Sequence, residues 1–337
     1  MIPCVLCGEH NASAALQVCA HCIKTRFDEA LPFIQKTHQK IKKEYMMPET
    51  PPQQGTPCGF CVNNCRIPEG EYGYCGTRKN TGTIVNKTGS PDTAYVECYH
   101  DPLPTNCVSM DFCGGRNDTG KNLAVFYGAC TFNCLFCQNW HYRRLTHTMH
   151  VKDVLSYIDK NTACICYFGG DPTPQIEHAL KVADHANHCR ICWETNGAFS
   201  HALAKKIGKT SFDSGGTIKI DIKAYSEKIH YALTGSSNKN TLSNFEYIYS
   251  THPRKDPPMV VASTLLVPGY IDVSEISAIA QFISDIDPHI PYCLLGFHPH
   301  FKMKDLPYTS KDEALACVKE AQKYVSTVRI GNVWLLR

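Results

Sequence analysis

The sequence predicts an α/β fold built on a parallel sheet, open or barrel-like, behind a cysteine-rich N-terminal metal-binding extension. Three observations carry this. From about residue 120 onward, short apolar runs alternate with helical segments. Polar motifs recur at the carboxyl ends of those runs. Ahead of them, cysteines fall in closely spaced sets.

A chain of 337 residues, 43% hydrophobic, can bury a sizeable core, and a formal charge of +3 is too mild to require a nucleic acid or an anionic membrane as partner. No run approaches the roughly 20 apolar residues that span a bilayer. Met1 to Cys4 does not open a basic region followed by an apolar run, so a cytoplasmic protein without a membrane partner is expected. Disulfides do not persist in a reducing compartment, so 20 cysteines there imply bound metal.

The first set is Cys4, Cys7, Cys19 and Cys22, two C-x2-C turns that can supply four soft ligands to a tetrahedral zinc; a rubredoxin-like iron site has the same spacing. Residues 26–45 then carry Phe27, Leu31, Ile34 and Ile41 at helical spacing, with Pro32 as a break or kink. Residues 1–46 are read as this knuckle and its helix, and proline-rich 47–57 as a linker. The accessory segment 58–115 is expected to hold short strands at best. Its Cys58, Cys61, Cys65 and Cys75, with Gly70 and Gly73 allowing tight turns, can bind zinc or an auxiliary iron-sulfur cluster, and Cys98, Cys107 and Cys113 can replace or add ligands.

The α/β region spans 116–337, with candidate strands at 122–128, 163–168, 189–194, 216–222, 259–266 and 291–297. Ile176, Ala179, Leu180 and Ala183 mark a helical face, and Ser310 with Glu313 resembles a capping box. Chemistry in such folds collects at the strand carboxyl ends. There the sequence places Cys130, Cys134 and Cys137 after the first strand, Gly169-Gly170-Asp171-Pro172 after the second, Glu194-Thr195-Asn196-Gly197 after the third, Asp221-Ile222-Lys223 at the fourth and Phe297-His298-Pro299 after the sixth. Three cysteines on one loop can bind three irons of a 4Fe-4S cubane and leave the fourth open; an electron-transfer cluster with a fourth thiolate from elsewhere is the plainer alternative. Cys164, Cys166, Cys189, Cys192, Cys293 and Cys317 read as core filling.

With C-x3-C-x2-C after a strand and Phe136 before the last cysteine, the chain resembles the radical S-adenosylmethionine (SAM) superfamily. The Gly-Gly-Asp-Pro-Thr-Pro, Glu-Thr-Asn-Gly, Asp-Ile-Lys-Ala and Phe-His-Pro-His-Phe-Lys motifs resemble the branch related to pyruvate formate-lyase activating enzyme, especially AmmeMemoRadiSam-like proteins, over roughly residues 58–332. The resemblance implies a partial parallel (β/α)6-type barrel in which SAM chelates the open iron and is cleaved to a 5′-deoxyadenosyl radical. It implies Gly169, Gly170 and Asp171 at the SAM amino group, Phe136 against adenine and Glu194 and Asn196 at the ribose. It further implies Asp221, Lys223 and His298 near the polar groups or a cation. It calls for a low-potential donor of ferredoxin or flavodoxin type, anaerobic oxidoreductase chemistry and a substrate that is either a partner protein, as for a glycyl-radical activase, or a smaller molecule. Asp171 stands where many relatives carry glutamate. The reading of another class is a non-catalytic zinc and iron-sulfur protein that carries electrons or binds RNA; it leaves Asp171, Glu194, Asp221 and His298 with no reason to converge, and basic-aromatic interleaving at the knuckle is sparse, so nucleic acid is disfavoured.

Overall fold

A computed structural model describes residues 1–105 and 107–337. Its first hairpin, β1 (Ile2–Pro3) with β2 (Asn11–Ala12), is followed by α1 (Ala20–Thr25) and α2 (Phe27–Glu44). The predicted helix therefore forms and continues through Pro32, whose missing N–H removes one backbone bond near its start. Ala30, Ile34, His38 and Ile41 bury one face, while Asp28 and Glu29 at its beginning and Lys42 and Lys43 at its end match the helix dipole. Leu16, Val18, Ile23 and Ile34 join the same buried core as the main sheet, and the Tyr270 hydroxyl accepts from Ser13 N at 2.9 Å and donates to Val18 O at 3.1 Å.

Two small hairpins follow, β3 (Thr56–Pro57) with β4 (Arg66–Ile67) and β5 (Arg78–Asn80) with β6 (Ile84–Asn86). The expectation of only short strands before residue 115 then fails, because β7 (Thr93–Pro102) is ten residues long. Alternate residues Ala94 and Val96 are buried, and the strand pairs antiparallel with β8 (Lys121–Tyr127) from Val96–Tyr127 to Pro102–Lys121. A period-2 pattern covered a half-buried strand that the density of cysteines obscured.

The remaining elements alternate: β9 (Thr148–His150), α3 (Val151–Leu155), β10 (Thr162–Gly169), α4 (Ile176–His185), β11 (Arg190–Thr195), α5 (His201–Ser214), β12 (Ile218–Asp221), α6 (Glu227–Thr234), α7 (Lys239–Thr251), β13 (Val260–Leu266), α8 (Val273–Ile286), β14 (Tyr292–Gly296), α9 (Lys311–Ala321) and β15 (Val328–Gly331). They form one sheet in the order β15-β14-β13-β12-β11-β10-β8-β7-β9. All six predicted strands are present and parallel, β15 adds a parallel seventh, and β9 and β15 are free edges, so the sheet is open. Ser310 caps α9 by accepting from Glu313 N at 3.1 Å, the first of the two bonds of the predicted capping box. Among the described residues, no helix is long and apolar enough to cross a membrane.

Three histidines, His38, His178 and His230, are buried, and burial lowers each to about 4. Because the folded values lie below the unfolded one of about 6.5, their stabilising effect is complete above that pH and is lost as pH falls toward 4. Resistance to urea is therefore expected to fall as pH drops from about 6.5 to 4, each histidine adding a slope of up to about 1.4 kcal/mol per pH unit. A flat profile across that window would contradict it.

Candidate functional site

The loop after β8 carries the cysteine triad into the interior. Cys130 and Cys134 are buried and Cys137 is partly so. Backbone bonds hold this loop from several sides: Asn133 N to Thr234 O at 2.8 Å, Leu135 N to Leu233 O at 3.0 Å, and Lys302 N to Leu135 O at 3.0 Å. The Asn133 side-chain amide donates to His38 Nδ1 at 3.1 Å, while its oxygen accepts from Arg143 at 3.0 Å. The N-terminal helix α2 and the end of α6 thus brace the triad.

The three cysteines open into a cleft of roughly 400 Å³ at the carboxyl ends of the strands, a volume suited to a small ligand. Phe136, Gly169, Gly170, Glu194, Asn196, Asp221 and Lys223 line the same cleft, so the structure brings most of the sequence-nominated residues together. Two are not at its surface. The buried Asp171 carboxylate accepts from Thr173 N at 2.9 Å, Thr195 Oγ1 at 2.8 Å and Asn196 N at 2.9 Å. Burial raises this carboxyl while those bonds oppose the rise. His298 packs instead against Tyr308 and His300, with ring centroids 5.1 and 5.8 Å away.

Close approach explains the glycines. At Gly170 a Cβ would lie 1.9 Å from Ala129 O, and Gly169 adopts φ +104°, which favours glycine. Asp171 N donates to that same Ala129 O at 2.7 Å, fastening the glycine turn to the residue before Cys130. On the next strand, Asn196 Nδ2 donates to Thr131 Oγ1 at 2.8 Å and approaches Cys130 Sγ at 3.7 Å.

Sequence reasoning missed the charge network on the cleft wall. Lys219 lies 3.1 Å from Glu194 and 3.0 Å from Asp221, whose other oxygen is 2.8 Å from Lys223. Ser263 also donates to Asp221. Burial pushes the Asp221 carboxyl upward, but Lys219 and Lys223 outweigh it and hold it well below the usual range. The alternation Ile218-Lys219-Ile220-Asp221 puts Lys219 and Asp221 on one strand face, the signal that was available. Arg329 to Trp334 also line the cleft, with Trp334 62% exposed at its mouth.

The other two cysteine sets differ in spread. The sulfurs of Cys4, Cys7, Cys19 and Cys22 all lie within 4.8 Å of one another, with Cys4 to Cys22 at 3.8 Å and Cys7 to Cys19 at 3.9 Å. Tetrahedral zinc-thiolate bonds of about 2.3 Å require sulfurs about 3.8 Å apart. His10, 3.7 Å from Cys7, lowers that thiol to about 5. Cys58, Cys61, Cys65 and Cys75 instead line a separate small cavity, and among the described residues no three of their sulfurs come within 4.8 Å of one another. Cys98, Cys107 and Cys113 do not line it: Cys98 contacts Met149 Sδ at 3.8 Å, and the Cys107 thiol donates to Glu194 at 3.1 Å.

The triad loop suits an iron-sulfur cluster on this structure's own terms. Phe132 N and the Asn196 amide point N–H groups at Cys130 Sγ from 3.4 and 3.7 Å, and Arg143 and Lys223 lie near the Cys134 thiol, which burial raises to about 12.

Residues 124–283 match the profile of the radical SAM superfamily. An uncharacterized protein of Methanocaldococcus jannaschii is 25% identical over 82% of this chain and 81% of its own. A second protein of that archaeon, provisionally named a glycyl-radical enzyme activating enzyme, is 29% identical over 62% of this chain and 79% of its own. The pyruvate formate-lyase 1-activating enzyme of Escherichia coli is 24% identical over 56% and 81%.

Proposed function

We propose, from the premise that residues 124–283 are a radical SAM domain with activating-enzyme homologues, that this protein reductively cleaves SAM on a 4Fe-4S cluster held by Cys130, Cys134 and Cys137. The observation that carries the reading is the opening of all three thiols into one strand-end cleft also lined by Gly169, Gly170 and Asn196. When bound, cluster and SAM supply a 5′-deoxyadenosyl radical that abstracts hydrogen from the substrate.

The chain's residues then divide the work of orientation. Gly169 and Gly170 present backbone without side chains, as close approach of the SAM amino group requires. Phe136 offers an apolar face to adenine, and Glu194 and Asn196 offer hydrogen-bonding groups to the ribose. Lys223, fixed by Asp221 at 2.8 Å, places a cation on the wall beside Cys134, where it favours an anionic group of the cofactor. Asp171 acts as a positioning residue, holding Thr195 and Asn196 in place. The Cys4, Cys7, Cys19 and Cys22 knuckle holds zinc. A ferredoxin- or flavodoxin-type donor supplies the electron, and the names of the relatives favour a partner protein as substrate.

The assignment is tested by the electron paramagnetic resonance spectrum of the reduced, reconstituted protein. Adding SAM is expected to shift the cluster signal, and Asn196→Ala is expected to raise the SAM concentration for half the shift about tenfold, the loss of roughly 1.4 kcal/mol. A spectrum indifferent to saturating SAM would overturn the open-iron reading.

A further inference from the structure

Cys58, Cys61, Cys65 and Cys75 are brought together by the two hairpins that precede the main sheet, yet their sulfurs do not close on a point. This contrasts with the N-terminal set, whose sulfurs already stand at the edge length of a zinc-thiolate tetrahedron. A cubane cluster spreads its four outer thiolates further apart, because each binds a different iron. The arrangement therefore fits a single tetrahedral ion less well than the N-terminal set does.

A second observation is independent of the sulfurs. Arg78 lines the cavity, is 1% exposed and stacks its guanidinium 3.7 Å over the Phe60 ring, another lining residue. Its Nη1 is 2.7 Å from Glu177, but Nε and Nη2 have no hydrogen-bond partner among the described residues. A buried guanidinium with idle donors is costly unless an acceptor or an anion faces it. A cluster ligated by four thiolates carries net negative charge and acceptor sulfides.

The donors around the cysteines mark them as ligands of a bound group, as the same contacts do in the N-terminal set, where Cys19 N faces Cys4 Sγ and Cys22 N faces Cys19 Sγ at 3.4 Å. Tyr74 N faces Cys65 Sγ and Arg78 N faces Cys75 Sγ, both at 3.4 Å, and Asn63 Nδ2 faces Cys61 Sγ at 3.6 Å. N–H groups aimed at cysteine sulfurs stabilise and tune iron-sulfur clusters. Asn63 also donates to Thr131 O at 2.7 Å, so the cavity abuts the triad loop one residue from Cys130.

We infer that Cys58, Cys61, Cys65 and Cys75 hold a second, fully cysteine-ligated 4Fe-4S cluster, with Arg78 as its buried counter-cation. The inference does not rest on SAM cleavage, and its test reads metal content rather than activity. The full-length chain with Cys130, Cys134 and Cys137 all replaced by alanine is reconstituted anaerobically with ferrous iron and sulfide. It is expected to keep about four irons and four sulfides, and a reducible cluster signal, which are lost when Cys61→Ala and Cys65→Ala are added. A folded triple variant without cluster iron, or with zinc in both remaining cysteine sets, overturns it. Should the triple variant not fold, Mössbauer spectroscopy of the unaltered chain decides: about eight cluster irons support the site and about four overturn it.

Discussion

Gly170→Ala is expected to abolish the native fold around the triad, with a loss of stability above roughly 4 kcal/mol, in the range reserved for gross steric or burial defects. A Cβ there would lie 1.9 Å from Ala129 O and 2.8 Å from Ala129 C, both backbone atoms, and 3.0 Å from the Tyr142 ring. Neither side can retreat easily. Gly169 ends the β10–β8 pairing opposite Tyr127, and Asp171 N holds Ala129 O at 2.7 Å. Movement would displace the backbone that leads into Cys130. The control is Gly269→Ala, where φ is +78° but nothing lies within 4 Å of the added carbon, so only about 1–2 kcal/mol of backbone strain is expected. Chemical denaturation measures both, and a Gly170→Ala protein as stable as the Gly269→Ala protein would refute the steric account.

Lys219→Met is expected to cost about 3–5 kcal/mol, the range for breaking a buried ion pair by removing one partner. Lys219 is the only ammonium within bonding distance of both Glu194 and Asp221 among the described residues. Its removal leaves Asp221 to Lys223 alone and Glu194 with no ion-pair partner in the cleft wall. Adding Glu194→Gln should recover part of the loss, because the unpaired carboxylate is what makes the single change expensive. The sign of the pH effect follows from Asp221, whose folded value is depressed: its stabilising contribution is present above the unfolded value near 3.9 and lost as pH falls below it. In Lys219→Met that acid-labile contribution should shrink. Denaturation midpoints of the single and double variants measure the coupling, and a Lys219→Met loss under 1 kcal/mol would contradict it.

Six of the seven parallel strands were legible because each is a short apolar run ended by a polar or glycine-bearing turn, as in Ile165-Cys166-Tyr167-Phe168 before Gly169, whereas β15 is only Val328–Gly331 with Arg329 inside it. The same punctuation located the cleft, since glycine is demanded wherever backbone approaches backbone. Three features were hidden. Strand β7 carries Glu97, His100 and Asp101 along its outer half and sits among cysteines, so its alternation did not stand out. Lys219 lies inside a strand otherwise read as apolar, and its two partners, Asp221 two residues on and Glu194 across the β11–β12 register, explain a lysine there. The cleft-lining Arg329 to Trp334 segment reaches the site through tertiary packing that no local pattern encodes.

Asp171 shows a subtler limit. Its place after two glycines marks it for the site, but the sequence does not say that its oxygens turn inward to Thr173, Thr195 and Asn196. For the accessory cysteines, spacing alone left zinc and iron-sulfur open in the second set, whereas the spread of the sulfurs and the idle Arg78 donors separate it from the first.

The most direct measurement is anaerobic: the reconstituted protein is given dithionite and SAM, and 5′-deoxyadenosine is quantified beside the Cys130, Cys134 and Cys137 triple alanine variant. 5′-Deoxyadenosine and methionine are expected in equal amounts from the unaltered chain, with only the protein-free background from the variant. No 5′-deoxyadenosine from a sample whose triad cluster is confirmed by spectroscopy would contradict that expectation.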